Sequence, residues 1–190
     1  MRLDHTASVP VGRDEVWRFV NDIPAVLECL RGARLVESVD ESTYRGTFRI
    51  SVGPFSLAYH GTLVVIERDD DGRTLRMEVS GRDRRGAGSA HASITLALVP
   101  EGPGTRIRAG ADVALTGPVA SLTGVMRAVS SRLFEEFARA MAGVLAQGAS
   151  GRPRQVERRG DSVQVAPLLW SATRDRVADY LRGLGDRLRP

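Results

Sequence analysis

No segment restricts the fold as tightly as residues 118–147, PVASLTGVMRAVSSRLFEEFARAMAGVLAQ. Its apolar residues, Val119, Leu122, Met126, Val129, Leu133, Phe137, Ala140 and Val144, step by three or four, the period of one helix face. A second row, Val125, Phe134, Met141 and Leu145, widens that face beyond a surface stripe. Pro118 suits a first helical position and Gly148 a left-handed cap, so the pattern predicts one helix about 45 Å long at ~1.5 Å per residue. A helix with so broad an apolar face needs a partner layer, and the preceding residues supply one.

Those residues switch to a period of two. Leu3, His5, Ala7 and Val9 share one side of a first strand. After it, DEVWRFVND and PAVLECL read as two short helices. Tyr44, Phe48, Ile50 and Val52 then alternate with Arg45, Thr47, Arg49 and Ser51. Phe55, Leu57, Tyr59, Leu63 and Val65 oppose Ser56, His60 and Thr62; Leu75, Met77 and Val79 oppose Arg76, Glu78 and Ser80. Ala92, Ile94, Leu96 and Leu98, then Ile107, Ala109, Ala111, Val113 and Leu115, continue the pattern. Successive alternating strands predict an antiparallel sheet with one wet and one covered face, and the long helix as the cover. Asp69-Asp70-Asp71-Gly72 reads as a solvated hairpin tip in preference to a calcium loop.

Strand, two short helices, six strands and a long helix is the order of the helix-grip fold, the START-like or SRPBCC superfamily. The expectation is an α+β fold in which a curved antiparallel sheet of about seven strands wraps the long C-terminal helix. The blocks VWRFVND, CLRG, SVGPFSLAYHG, GAGSAHASITLALVPEGPGTRI and FEEFARAM resemble, in order, the CoxG family of carbon monoxide dehydrogenase proteins over about residues 1–147. The expected organisation is a START-like domain over 1–148, a flexible linker over 149–166 and an amphipathic tail helix over 167–190.

The chemistry legible in the residues is that of binding. Small residues at Gly61, Gly81, Ala92, Ala109 and Ala111 leave room for an apolar pocket beneath the helix. Its predicted lining is His5, Phe48, Tyr59, Met77, Ala92, Ala109, Met126, Val129, Leu133 and Phe137; a filled core is the alternative for the same pattern. His60 and His91 fall on the outward side without ligand-spaced partners, so no metal site is expected. The acids fall on helices, turns or outward positions, and no serine stands near an inward histidine and carboxylate, so no catalytic group is predicted. Cys29 is alone, which excludes an intramolecular disulfide and fits a cytoplasmic location.

All 27 basic residues are arginine, which removes lysine-based chemistry. Residues 1–150 carry 18 arginines and 18 acids, whereas 151–190 carry 9 and 5, so the basic excess belongs to the tail and nucleic acid is not an expected partner. The start of the chain shows no signal-peptide pattern, and no apolar run is long enough to span a bilayer. Residues 150–166 are polar and reach about 20–25 Å if flexible. Beyond them Trp170, Val177, Tyr180, Leu181, Leu184 and Leu188 gather on one side of a helical wheel, the pattern of a membrane-interface helix, or of one docking on protein.

The family resemblance implies a non-catalytic accessory protein that brings a molybdenum hydroxylase, such as aerobic carbon monoxide dehydrogenase, to the inner face of the cell membrane. It also implies handling of a membrane quinone, menaquinone or ubiquinone, as a non-covalent apolar ligand. Two alternatives stand beside it: a cyclase- or aromatase-type enzyme acting on a hydrophobic substrate, and a ligand-free scaffold whose tail docks on a partner.

Overall fold

In the computed structural model the described residues are 1–52, 55–84, 86, 88–117, 120, 123–149 and 163–165. The alternating segments form β1 (Arg2–Val9), β2 (Ala33–Ser38), β3 (Thr43–Val52), β4 (Phe55–Asp69), β5 (Thr74–Asp83), β6 (Ser89–Glu101) and β7 (Gly104–Leu115). Helices α1 (Arg13–Asn21) and α2 (Ile23–Cys29) follow β1, and α3 (Thr123–Ala149) follows β7. The strand order is β1-β7-β6-β5-β4-β3-β2, antiparallel throughout, with β8 (Val163–Val165) added parallel to β3. This is the curved sheet on a long helix that the alternation predicts.

Pairing register lines the covered-face residues into rows. One row runs Leu3, Ala111, Ile94, Met77, Val65; the next runs Val113, Ala92, Val79, Leu63, Tyr44. The third, Leu115, Ala90, Gly81, Gly61, Gly46, Leu35, has glycine on three successive strands. There the strands approach too closely for side chains: a Cβ on Gly61 would lie 2.2 Å from the Ser80 carbonyl oxygen, and one on Gly46 2.6 Å from that of Arg34. Bulges at Leu35/Glu37 and Val65/Glu67 add to the curl and turn Val36 and Ile66 out to solvent.

The main core lies where α1, α2 and the second half of α3 meet the sheet. Val16, Trp17, Val20 and Ile23 pack with Leu75, Leu96, Leu98 and Ile107, and with Phe137, Met141, Val144 and Leu145 of α3. Asp22 caps α2 by accepting the Ala25 N–H at 3.1 Å. The acidic hairpin tip is a clasp: Asp70 accepts the Trp17 indole N–H at 2.7 Å, Asp69 accepts the Gly72 N–H at 2.9 Å, and Arg73 pairs with Asp14 at 2.7 Å.

Two boundaries differ from expectation. Helix α3 (Thr123–Ala149) runs through Gly148, so Gly148 does not bound it, and the alanine-rich last turn continues the ladder past the glycine; Pro118, expected at its start, lies outside the described residues. Within the stretch expected to be linker, Val163–Val165 pairs with Ile50–Val52. Strand β2 begins opposite Phe48, which leaves the β3 edge beyond it, Ile50–Val52, for β8. The tail residues 166–190 lie outside the described residues, and with them Trp170, Val177, Tyr180, Leu181, Leu184 and Leu188.

Candidate functional site

The apolar face of the sheet divides into two packed regions. Besides the main core there is a smaller cluster at the first half of α3, with Ile50, Leu57 and Val129 buried and Phe48, Tyr59, Leu115, Val125, Met126 and Leu133 around them. Between the two, Val79, Ala92, Ala109, Ala111 and Val113 belong to neither cluster and are only half-buried, although they face the helix side. A helix held off by packed residues at either end cannot close on alanines and glycines, so solvent reaches this strip.

The predicted lining residues divide accordingly. Met77 and Phe137 sit in the main core, while Phe48, Tyr59, Met126, Val129 and Leu133 form the smaller cluster. Ala92 and Ala109 lie on the strip between them. His5 stands on β1 opposite Ala109. Its Nε2 is 3.1 Å from Ser130 Oγ of α3, and its ring stacks on Phe134 with centroids 5.5 Å apart. Ser130 also donates to the Arg127 carbonyl at 2.8 Å. The two contacts are compatible with Ser130 accepting from His5 Nε2–H while its own hydrogen goes to the Arg127 carbonyl, the tautomer that leaves Nδ1 as an acceptor.

This contact corrects one expectation, since a serine does stand beside the inward histidine. The two are 125 residues apart in the chain, and only the docking of α3 on β1 joins them. Among the described residues no carboxylate is hydrogen-bonded to His5, so the pair lacks the orienting acid of a hydrolytic triad. A second correction concerns the acids. Asp83 faces inward at 5% exposure, with Oδ1 accepting the Ala58 N–H at 3.1 Å. The period-two pattern Leu75, Met77, Val79, Gly81, carried one step further, points to it.

Asp83 is paired across the ladder with Tyr59. Burial, and secondly the Asp83 charge, push the Tyr59 phenol above its ordinary pKa, which holds its proton in place. The Tyr59 ring leans over Gly81, whose missing Cβ would meet the Tyr59 Cβ at 3.4 Å. The Tyr44 hydroxyl, by contrast, donates to the Glu41 carbonyl at 3.0 Å. Cys29 is buried in the main core. The strip thus has an aromatic hydroxyl beside the smaller cluster and a histidine at its β1 side, with aliphatic surface between.

A family model for CoxG, a subunit of carbon monoxide dehydrogenase, matches residues 6–146. The chain belongs to this family. Solved structures give the fold of this CoxG family member its wider context. A conserved protein from Geobacillus kaustophilus is similar at a TM-score of 0.70 with 18% identity, covering 78% of this chain and 97% of the other. The Zhui aromatase/cyclase from a Streptomyces species is similar at 0.58 with 13% identity, covering 80% and 99%. A START superfamily protein from Mycobacterium smegmatis is similar at 0.56 with 18% identity, covering 77% and 97%. At such identities the likeness is one of fold, and that fold is START-like. No protein of curated function matches the chain.

Proposed function

We propose that this CoxG family member is a non-catalytic accessory protein that holds an apolar ligand, a membrane quinone, and recruits a molybdenum hydroxylase such as carbon monoxide dehydrogenase to the inner face of the cell membrane. The observation that carries the ligand half is the half-buried strip of Val79, Ala92, Ala109, Ala111 and Val113 between two packed clusters. A quinone fits this donor set: an isoprenoid chain lies along aliphatic surface, and a ring carbonyl accepts from a neutral phenol such as Tyr59. When bound, the quinone supplies two-electron acceptor chemistry on behalf of the oxidoreductase. The family match supports the partner class. Among the described residues no helix is long and apolar enough to cross a membrane, so attachment on this reading falls to the tail, through Trp170, Val177, Tyr180, Leu181, Leu184 and Leu188.

Lipid extraction and mass spectrometry of the purified full chain test the ligand directly. Menaquinone or ubiquinone should be retained in stoichiometric amount; a protein that carries none, and whose melting temperature does not rise with added quinone, would refute it.

One observation favours a second reading, a cyclase- or aromatase-type enzyme acting on a hydrophobic substrate. Asp83 and Tyr59 place an acid and a phenol together on the covered face. On that reading Asp83→Asn abolishes turnover of a polyketide-type substrate while leaving its binding intact.

A further inference from the structure

The outer face of the sheet carries a concentration of charge that composition alone does not reveal. Register aligns Arg34, Thr47, His60 and Arg82 in one row across β2, β3, β4 and β5. One step along, Arg49 pairs with Ala58, and the Arg84 N–H donates to the Ala58 carbonyl at 3.1 Å. Arg34, Arg49, His60, Arg82 and Arg84 are all exposed. With strands about 4.8 Å apart, the row from Arg34 to Arg82 spans ~14 Å. Among the described residues, the outward positions between them are Thr47, Ser51, Ser56, Ala58, Ser80 and Ser89, with no acid.

Elsewhere on this face most cations meet carboxylates. Arg45 pairs with Glu37 and Arg76 with Glu67, each at 3.0 Å, Arg2 with Asp4 at 3.3 Å, and Arg106 with Glu101. His91 approaches Glu78 at 3.0 Å. Arg49, Arg82 and Arg84 form no ion pair among the described residues. A stretch with equal numbers of arginines and acids has therefore sorted its charge, neutralising most of the face and leaving one corner positive.

The position of that corner suggests its partner. It lies at the end of the sheet occupied by Ile50, Leu57 and Tyr59 on the opposite face. Beside it β8 pairs with Ile50–Val52, next in sequence to Arg49, so the basic C-terminal segment is tied to the sheet at this corner. Among the described residues the outward positions of the patch carry no phenylalanine, tyrosine or tryptophan, so His60 is the one ring there and no extended platform for stacking bases is built. Cations spread over a shallow sheet face suit a plane of headgroup phosphates. We infer that Arg49, Arg82 and Arg84, with Arg34 and His60, form a docking face for an anionic lipid bilayer. It rests on the membrane reading above and deepens it, since it gives the sheet its own contact with the bilayer beside the attachment assigned to the tail.

The test is co-sedimentation of the full chain with phosphatidylcholine vesicles prepared with and without phosphatidylglycerol. The wild-type chain should bind the anionic vesicles and release them as salt is raised. The triple variant Arg49→Gln, Arg82→Gln, Arg84→Gln should bind them on the order of 100-fold more weakly, about fivefold per arginine, with an unchanged melting temperature. Arg108→Gln removes an isolated exposed cation from β7 on the same face and should bind as wild type does. Equal binding by wild type and the triple variant overturns the inference, leaves the membrane reading standing and assigns the arginines to an acidic protein surface. A loss in Arg108→Gln as large as in the triple variant also overturns it, because net charge alone would then explain binding. A wild-type chain that ignores anionic vesicles overturns both readings.

Discussion

Tyr59 shows how one side chain takes its properties from its surroundings. Its ring has room because Gly81, its diagonal neighbour on the covered face, has no side chain, and its proton is held by burial and by the charge of Asp83. Ultraviolet titration should show Tyr59 ionising later than an ordinary phenol, with Tyr59→Phe removing that late step. Asp83→Asn should bring the step down only part of the way, because burial is the larger cause. The sign for stability follows. The folded-state pKa lies above the unfolded value of about 10, so the contribution is fully present below pH ~10 and is lost as pH rises through the folded value. Asp83→Asn that left the Tyr59 titration unmoved would remove the electrostatic link between the two.

Strands and helices tolerate change according to what each position has already excluded. Gly61 sits against the Ser80 backbone, which cannot swing aside as a side chain can. Gly61→Ala should therefore cost about 2 kcal/mol or more, read as a lower denaturation midpoint with an unchanged slope. On α3, Met141 is fully buried while Leu133 is only partly buried. Met141→Ala should fall in the ~2–5 kcal/mol range of large core truncations, with Leu133→Ala well below it. Equal losses would mean that the two halves of the helix are packed alike, contrary to the divided core. Strand β8 is a three-residue addition to an edge. Proline at its centre, Gln164→Pro, removes a backbone donor and should speed hydrogen exchange at Ile50–Val52 while changing global stability by no more than about 1 kcal/mol.

Over the whole molecule, the division of labour runs along α3. Its second half closes the core with α1 and α2; its first half stands over a small cluster, and the strip between them is only half-buried. The sheet then serves two surfaces at once. Its covered face offers aliphatic surface with a phenol and an imidazole, and its outer face neutralises most of its own charges while leaving one corner positive.

The sequence by itself determined the order of elements, the inward side of the strands it resolved, and the breadth of the helix face. These depend on local periodicity, which survives as a pattern along the chain. It also carried the family, through blocks of turns and strand faces that stand in order. Other features depended on tertiary structure because they join residues that no local pattern connects. His5 meets Ser130 only when α3 docks on β1; Gly46, Gly61 and Gly81 form one row only once register is set. Arg34, Arg49, Arg82 and Arg84 read along the chain as scattered charges, and the pairing of four strands brings them to one corner. Asp83 lies between the two cases: the alternation reached it, and the fold buried it.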